Sequence, residues 1–282
     1  MFVYLSMTIN CKGRLIDLEQ PRVMGILNVT PDSFFDGGMH TQLSSIIKTT
    51  EKMINEGATF IDVGGYSSRP GADNVSEKEE LRRVVQVVDA LRKTFPDILL
   101  SIDTFRSSVA RSCVEAGACM VNDISGGLLD PKMLATVGDL GVPFIMMHMR
   151  GTPQTMSQKT SYKDITHEVI KQLSQRLAEA RAHKIIDIIA DPGFGFAKET
   201  AQNFELLSHL ELLKHLDVPI LVGLSRKSMI YKTLQVTAKD ALNGTTALHM
   251  IALEKGARIL RVHDVKEAME CVSLFNQLNS YS

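Results

Sequence analysis

Short runs of apolar and β-branched residues alternate along this chain with longer stretches in which apolar positions recur every three or four residues. The first pattern predicts buried strands and the second amphipathic helices, because side chains repeat with period 2 on a strand and 3.6 on a helix. Residues 23–28 read as a strand and 43–55 as a helix that Gly57 ends; a strand at 60–63 and a helix at 77–94 follow. The alternation continues with strands at 98–102, 120–123, 143–147, 185–190, 220–223 and 259–262. Helices are predicted between and after them at 107–116, 131–140, 162–183, 200–215, 240–254 and 265–278. Gly117, Gly141 and Gly256 stand where helices should stop, since glycine takes the left-handed C-terminal conformation without a Cβ clash.

Eight strand–helix units in this order predict an α/β chain folded as a single (β/α)8, or TIM, barrel. No linker or composition shift divides it, so residues 1–282 are expected to form one domain. Residues 6–17 alternate around Lys12-Gly13 and predict an N-terminal β-hairpin that plugs the barrel floor. The competing architecture is a doubly wound open sheet. It would leave edge strands, whereas every strand here reads as buried on both faces.

Composition narrows the class. The chain is 44% hydrophobic and 22% charged, ordinary for a globular protein able to bury a core. Its net charge of −1 gives no reason to expect nucleic acid or an anionic membrane. Cys11, Cys113, Cys119 and Cys271 form no CxxC pair and no zinc-type spacing, so they read as buried thiols of a cytoplasmic protein. Residues 1–5 are apolar but too few, and lack a basic flank, for a signal peptide. No apolar run approaches the roughly 20 residues of a membrane helix.

In such a barrel the active site lies at the C-terminal ends of the strands. Every predicted strand there delivers a polar group: Asn28, the exit from Asp62 to Arg69, Asp103, Asn122-Asp123, His148, Asp191, Ser225-Arg226-Lys227-Ser228, and Arg261 with His263. Each alone has a structural explanation. Asp103 could serve a helix start, Asn122 and Asp123 could satisfy loop amides, and a lone histidine is usually structural. Their convergence on one rim favours a site, because several buried carboxylates are costly unless a ligand or cation compensates them. Asp103, Asn122 and Asp191 suit a flat heterocycle with N–H donors. Lys227, Arg69, Arg261, His263 and Asn28 suit phosphate oxygens with a divalent cation. No Walker loop is present, and the Gly193-Phe194-Gly195 pattern is weak evidence for a dinucleotide.

Residues 24–38, Met-Gly-Ile-Leu-Asn-Val-Thr-Pro-Asp-Ser-Phe-Phe-Asp-Gly-Gly, resemble the first signature of the dihydropteroate synthases, and residues 61–72 resemble the second. The blocks Ser101-Ile102-Asp103-Thr104, Val121-Asn122-Asp123-Ile124, Asp191-Pro192-Gly193-Phe194-Gly195-Phe196, Ser225-Arg226-Lys227-Ser228 and Arg261-Val262-His263-Asp264 follow in that family's order. The resemblance implies a cytoplasmic, usually homodimeric, Mg2+-using barrel. Such an enzyme condenses a dihydropterin-methyl diphosphate with 4-aminobenzoate in folate biosynthesis and is the target of sulfonamides. Carried over by motif, Asp103, Asn122, Asp191 and Lys227 would hold the pterin, and Asn28 would ligate Mg2+. Arg261 with His263, and Val262 between them, would meet the diphosphate. Phe34, Asp36, Ser68, Arg69, Pro70, Phe196 and Ser228 would shape the aminobenzoate side, with Asp36, Asp103 and Lys227 nearest the chemistry. The connections at 28–38 and 64–72 would close over both substrates.

Two positions depart from the family pattern. Tyr66 stands where Glu is usual, and Ser68 where Thr is usual. A methyltetrahydrofolate-dependent methyltransferase could share the pterin-holding set but would need no diphosphate pocket. A silent pterin-binding paralogue would be expected to have lost Asp103, Asp191 or Lys227, all of which are present.

Overall fold

The computed structural model describes residues 7–29, 38–66 and 75–281, with side chains in the first helix described from Gln42 onward. β1 (Thr8–Cys11) and β2 (Arg14–Asp17) form the predicted hairpin, with Lys12 and Gly13 both at positive φ as a tight two-residue turn requires. β3 (Arg22–Asn28) opens the barrel and leads to α1 (Gly38–Asn55). Then follow β4 (Phe60–Gly64), α2 (Glu77–Thr94), β5 (Leu100–Asp103), α3 (Ser107–Glu115), β6 (Met120–Asp123), α4 (Met133–Leu140), β7 (Phe144–Met147) and α5 (Ile165–Ala182). The chain continues through β8 (Ile188–Asp191), α6 (Thr200–Ser208), β9 (Ile220–Val222), α7 (Ser228–Leu234), α8 (Leu242–Glu254), β10 (Ala257–Val262) and α9 (Val265–Asn279). Strands β3 to β10 are parallel and close on themselves, β10 pairing with both β3 and β9. The open-sheet alternative is therefore excluded.

Period-2 alternation sorts the strand residues into two layers. Val23, Ile61, Val63, Ile102, Val121, Leu260 and Val262 face outward under the helices. Met24, Phe60, Met120, Ile145, Ile189, Leu221 and Ile259 face inward at the bottom of the barrel, where Ile9, Cys11, Ile16 and Leu18 of the hairpin segment pack against them. Two residues further along five of the strands the inward position turns polar, at Asp62, Ser101, Asn122, Asp191 and Arg261. An apolar plug thus closes one end, and a polar interior opens toward the C-terminal ends of the strands.

Several boundaries differ from the sequence reading for local reasons. The helix expected at 200–215 breaks at His209, and Leu210–Leu216 continues as a 3-10 helix. Leu210, Leu213 and Leu216 are all buried, and a spacing of three stacks side chains on one face of a three-residue turn. The strand expected at 185–190 starts at Ile188, because the Ile185 amide donates back to the Ala180 carbonyl and Lys184 turns left-handed. All four cysteines are free and buried. Among the described residues no helix is long and apolar enough to cross a membrane.

Candidate active site

Arg261, on β10, enters the barrel interior and joins two carboxylates. Its Nε donates to Asp62 Oδ2 at 2.6 Å and its Nη2 to Asp103 Oδ2 at 2.7 Å. Asn122 Nδ2 donates to the same Asp62 oxygen at 2.9 Å. Asp62 is completely buried, and its Oδ1 has no hydrogen-bond partner among the described residues. Burying a carboxylate in this way is tolerable only beside a fixed cation and donors, which Arg261 and Asn122 supply. The β4–β5 register aligns Asp62 with Ser101 and Gly64 with Asp103, so neighbouring strands place these groups side by side.

A second pair lies across the interior. Asp191, at the end of β8, is buried, and its Oδ1 accepts from the Gly193 amide at 2.7 Å. Lys227 reaches the Phe194 carbonyl with its Nζ, which stands 4.9 Å from the Phe196 ring centroid. Burial pushes the Asp103 carboxyl up to about 7 against the pull of Arg261, and the carboxylates of Asp62, Glu80 and Asp123 add to the rise. Burial likewise raises Asp191, opposed by Lys227, and brings Lys227 down to about 8, opposed by Asp191. The interior therefore holds titratable groups of both signs with values drawn toward neutrality, as in sites that bind and transform charged ligands.

The rim is built from the ends of β3, β9 and β10. Asn28 is exposed at the end of β3. Ser225 Oγ lies 3.0 Å from His263 Nδ1 and accepts the His263 amide at 3.2 Å, fixing this exposed histidine beside the opening. Arg226 takes a left-handed φ of 54° and grips both oxygens of Asp264 at 2.8 Å, which holds the segment leading to Lys227. Ser228 is the first residue of α7, with Lys227 as its N-cap.

A sequence model for pterin binding enzymes matches residues 24–263. The chain belongs to the pterin binding enzyme family. The dihydropteroate synthase of Escherichia coli strain K12 is 44% identical over 268 residues, covering 94% of each chain. The crystal structure of the Yersinia pestis dihydropteroate synthase with a sulfonamide drug complex superposes with a TM-score of 0.91 at 42% identity, covering 97% of this chain and 100% of that one. The Xanthomonas albilineans dihydropteroate synthase in complex with 7,8-dihydropteroate gives a TM-score of 0.86 at 39% identity, covering 96% and 98% of the two chains.

Of the residues singled out from sequence, Asp103, Asn122, Asp191, Lys227 and Arg261 converge on the barrel interior, with Phe196 beside Lys227 and Asn28 and His263 at the rim. Val262 does not converge: its side chain lies in the layer under the helices, so only its backbone can meet a ligand. Phe34, Asp36, Ser68, Arg69 and Pro70 lie outside the described residues. Asp123 proves structural, accepting from the Ser125 and Gly127 amides at 2.7 and 2.8 Å. Tyr66 is turned inward. Its ring meets Phe105 edge-on at 5.2 Å, the Arg106 guanidinium stands 5.6 Å from its centroid, and its hydroxyl accepts from Gln154 at 2.8 Å. Arg106 is held in turn by the buried Glu80, which also accepts from Thr104 at 2.7 Å. The aromatic ring thus has its own packing partners where the family usually has a carboxylate.

Lys198 is the chief omission from the sequence-based set, and Asp62 was named at its strand's exit without a role in the site. Strand alternation carried the signal for Asp62, which stands two residues beyond the inward-facing Phe60. Lys198 sits past a strand end in an irregular segment, where no periodicity applies.

Proposed function

We infer that this chain is a dihydropteroate synthase, a transferase joining (7,8-dihydropterin-6-yl)methyl diphosphate to 4-aminobenzoate, with release of diphosphate, in folate biosynthesis. The observation that carries this reading is the acceptor-rich barrel interior of Asp62, Asp103, Asn122 and Asp191 set against Lys227 and Arg261, in a chain similar over nearly its whole length to known dihydropteroate synthases. Acceptors suit the amino and ring N–H donors of a pterin, and the cationic edge suits the diphosphate. A methyltetrahydrofolate-dependent methyltransferase would share the acceptors without needing that edge.

The reaction displaces a good leaving group from an allylic-type methylene. The arylamine is a weak nucleophile, so the site works by stabilising charge rather than by activating a base. Asp103 faces the electron-poor carbon as a carboxylate. Lys227 and Arg261, oriented by Asp191, Asp62 and Asp103, meet the departing negative charge as fixed donors. His263, steadied by Ser225, adds a donor at the rim. The Phe196 ring forms a wall of the aminobenzoate subsite, and its carboxylate rests near Ser228.

Mg2+ is the proposed cofactor. Among the described residues no cluster of three or more His, Cys, Asp or Glu could cage a metal, and Asn28 offers one exposed amide oxygen. Asn28 would hold the Mg2+ as its protein ligand, with diphosphate oxygens completing the site. When bound it would supply Lewis-acid neutralisation of the leaving group. Sulfonamides would compete for the aminobenzoate subsite. The four buried free thiols support a cytoplasmic enzyme. Exposed Leu274 and Leu278, one turn apart on α9, with Ile251 on the adjoining α8, support a homodimer face. A coupled assay for pyrophosphate release tests the function. Release that depends on both 4-aminobenzoate and the pterin diphosphate is expected, and release indifferent to 4-aminobenzoate would refute it.

A further inference from the structure

The segment from Gly193 to Ala197 forms one wall of the site, and its backbone is held at almost every residue. Asp191 takes the Gly193 amide, and Asn203 Oδ1 takes the Gly195 amide at 2.7 Å. Lys227 takes the Phe194 carbonyl, and the Tyr162 hydroxyl donates to the Ala197 carbonyl at 3.0 Å. Gly193 must be glycine: its φ is 71°, and a Cβ there would stand 2.1 Å from the His148 carbonyl oxygen. The Gly193 carbonyl accepts the Phe196 amide at 3.1 Å, and two further bonds come from one buried lysine. Lys198 Nζ lies 2.9 Å from the Gly193 carbonyl and 3.0 Å from the Phe196 carbonyl. Its third neighbour is His148 Nδ1, at 3.0 Å.

The donors and acceptors around His148 decide what this lysine can be. Arg150 presents Nη2 and Nε to the Gln172 side chain at 2.7 and 3.2 Å. A guanidinium offers only donors, so the amide must turn its oxygen to Arg150 and its NH2 to His148 Nε2, 3.0 Å away. Nε2 is then an acceptor, and the single proton of a neutral imidazole sits on Nδ1, facing Lys198. An ammonium has three donors and no acceptor, so it would set N–H against N–H. A neutral amine has two N–H groups for the two carbonyls and one lone pair for Nδ1–H, and every group is satisfied.

We propose that Lys198 is a positioning residue of the pterin site, held as an uncharged amine that accepts from His148 Nδ1–H and clamps the carbonyls of Gly193 and Phe196. The proposal rests on the dihydropteroate synthase reading for its functional part. Burial disfavours charge on both His148 and Lys198. The charged groups around Lys198 are Asp191 on β8, which favours an ammonium, and Lys227 and Arg150 on the flanking segments, which oppose one. An uncharged Lys198 leaves Asp191 to Lys227 and the substrate, while its two bonds keep the Phe194 carbonyl on Lys227 and the Phe196 ring in place.

Nitrogen NMR of the full-length enzyme labelled at lysine Nζ and histidine nitrogens tests the charge state without substrate. Lys198→Met assigns the lysine signal, and His148→Gln the histidine. At neutral pH the expected spectrum shows a neutral amine at Lys198 and the Nδ1–H tautomer at His148; an ammonium, or the Nε2–H tautomer, would overturn the proposal. Gln172→Glu supplies the functional arm. A carboxylate there accepts from both Arg150 and His148 Nε2–H, which turns Nδ1 into an acceptor and draws a proton onto Lys198. The KM for the pterin diphosphate should then rise roughly tenfold, the scale of one charge-assisted contact, with kcat nearly unchanged. A Gln172→Glu enzyme with an ammonium at Lys198 and an unaltered KM would remove Lys198 from any role in substrate binding. Should wild-type enzyme release no pyrophosphate, the functional reading fails, and the spectra still judge the charge state.

Discussion

Asp191 has one oxygen occupied by the Gly193 amide and a cationic neighbour in Lys227, so its charge can serve both the wall of the site and a ligand. Asp191→Asn keeps the shape but replaces one acceptor with an amide donor. Charge-assisted hydrogen bonds contribute about 1.5–3 kcal/mol, so pterin affinity should fall by roughly tenfold to a hundredfold in a folded variant. Isothermal titration with a pterin analogue measures this, and unchanged binding would remove Asp191 from the pocket. Asp103 makes a separate prediction. Its carboxyl is raised to about 7, and it acts as an anion facing the reacting carbon. In the free enzyme kcat/KM for the pterin diphosphate should therefore decline as pH drops through about 7. The decline should be absent from the residual activity of Asp103→Asn. His249 speaks to stability. It is buried, neither ring nitrogen has a hydrogen-bond partner among the described residues, and burial lowers it from 6.5 to about 4. The folded state thus resists a proton that the unfolded chain accepts. The stability this histidine allows is complete above pH 6.5 and is lost as pH falls toward 4, by about 3 kcal/mol at the limit. His249→Leu should narrow the gap in thermal midpoint between pH 7 and pH 4.5, and an equal gap would assign acid sensitivity elsewhere.

Among the elements, the hairpin and the polar ends of the strands do different work. Ile9 of β1 is 1% exposed and packs with the bottom layer of the barrel, well below the Asp62–Arg261 network. Ile9→Ala should destabilise by about 2–5 kcal/mol through lost burial and a residual cavity. KM for both substrates should stay within about twofold, because the hairpin residues pack in the apolar layer at the barrel's bottom. Thermal unfolding and steady-state kinetics together check this, and a large KM change would show that floor and site are coupled. The elements also show how much pattern reading recovers. α2, from Glu77 to Thr94, and β6, from Met120 to Asp123, have the boundaries that their periodicity and flanking signals predict. Gly57, Gly117, Gly141 and Gly256 all carry positive φ where helices were expected to stop. The break at His209 was not legible, because leucines spaced by three satisfy a helical pattern whether the turn holds three residues or 3.6.

At the scale of the molecule, Lys227 and Arg261 bring positive charge into the barrel interior, and His263 and Asn28 stand at the rim of its opening. The connections after β3 and β4 that would complete the aminobenzoate subsite include Phe34, Asp36 and Arg69, outside the described residues. A small aromatic acid brings one carboxylate and few contacts to such a site, whereas a metal diphosphate brings several charge-assisted ones. A metal diphosphate would neutralise the positive charge and engage Asn28, so the second ligand would meet a finished pocket. 4-Aminobenzoate should therefore bind more tightly with Mg2+ and pyrophosphate present than without them. Titrations under the two conditions measure the coupling, and equal affinities would contradict it.

The sequence by itself determined the barrel, because burial on both faces and a strand–helix rhythm repeated eight times leave a parallel sheet no exposed edge. It also placed Asp103, Asn122, Asp191, Lys227, Arg261 and His263 at strand ends, where period and topology put side chains near the opening. Only the tertiary structure decided which of these groups meet. Asp62 and Arg261 are 199 positions apart in the chain, yet closure of the barrel brings them within hydrogen-bond reach. The charge on Lys198 was equally beyond the sequence, since it follows from the facing direction of one amide on α5 and one imidazole past β7. Strand periodicity is a local property of the chain, whereas hydrogen-bond satisfaction in a buried interior depends on every element that reaches it.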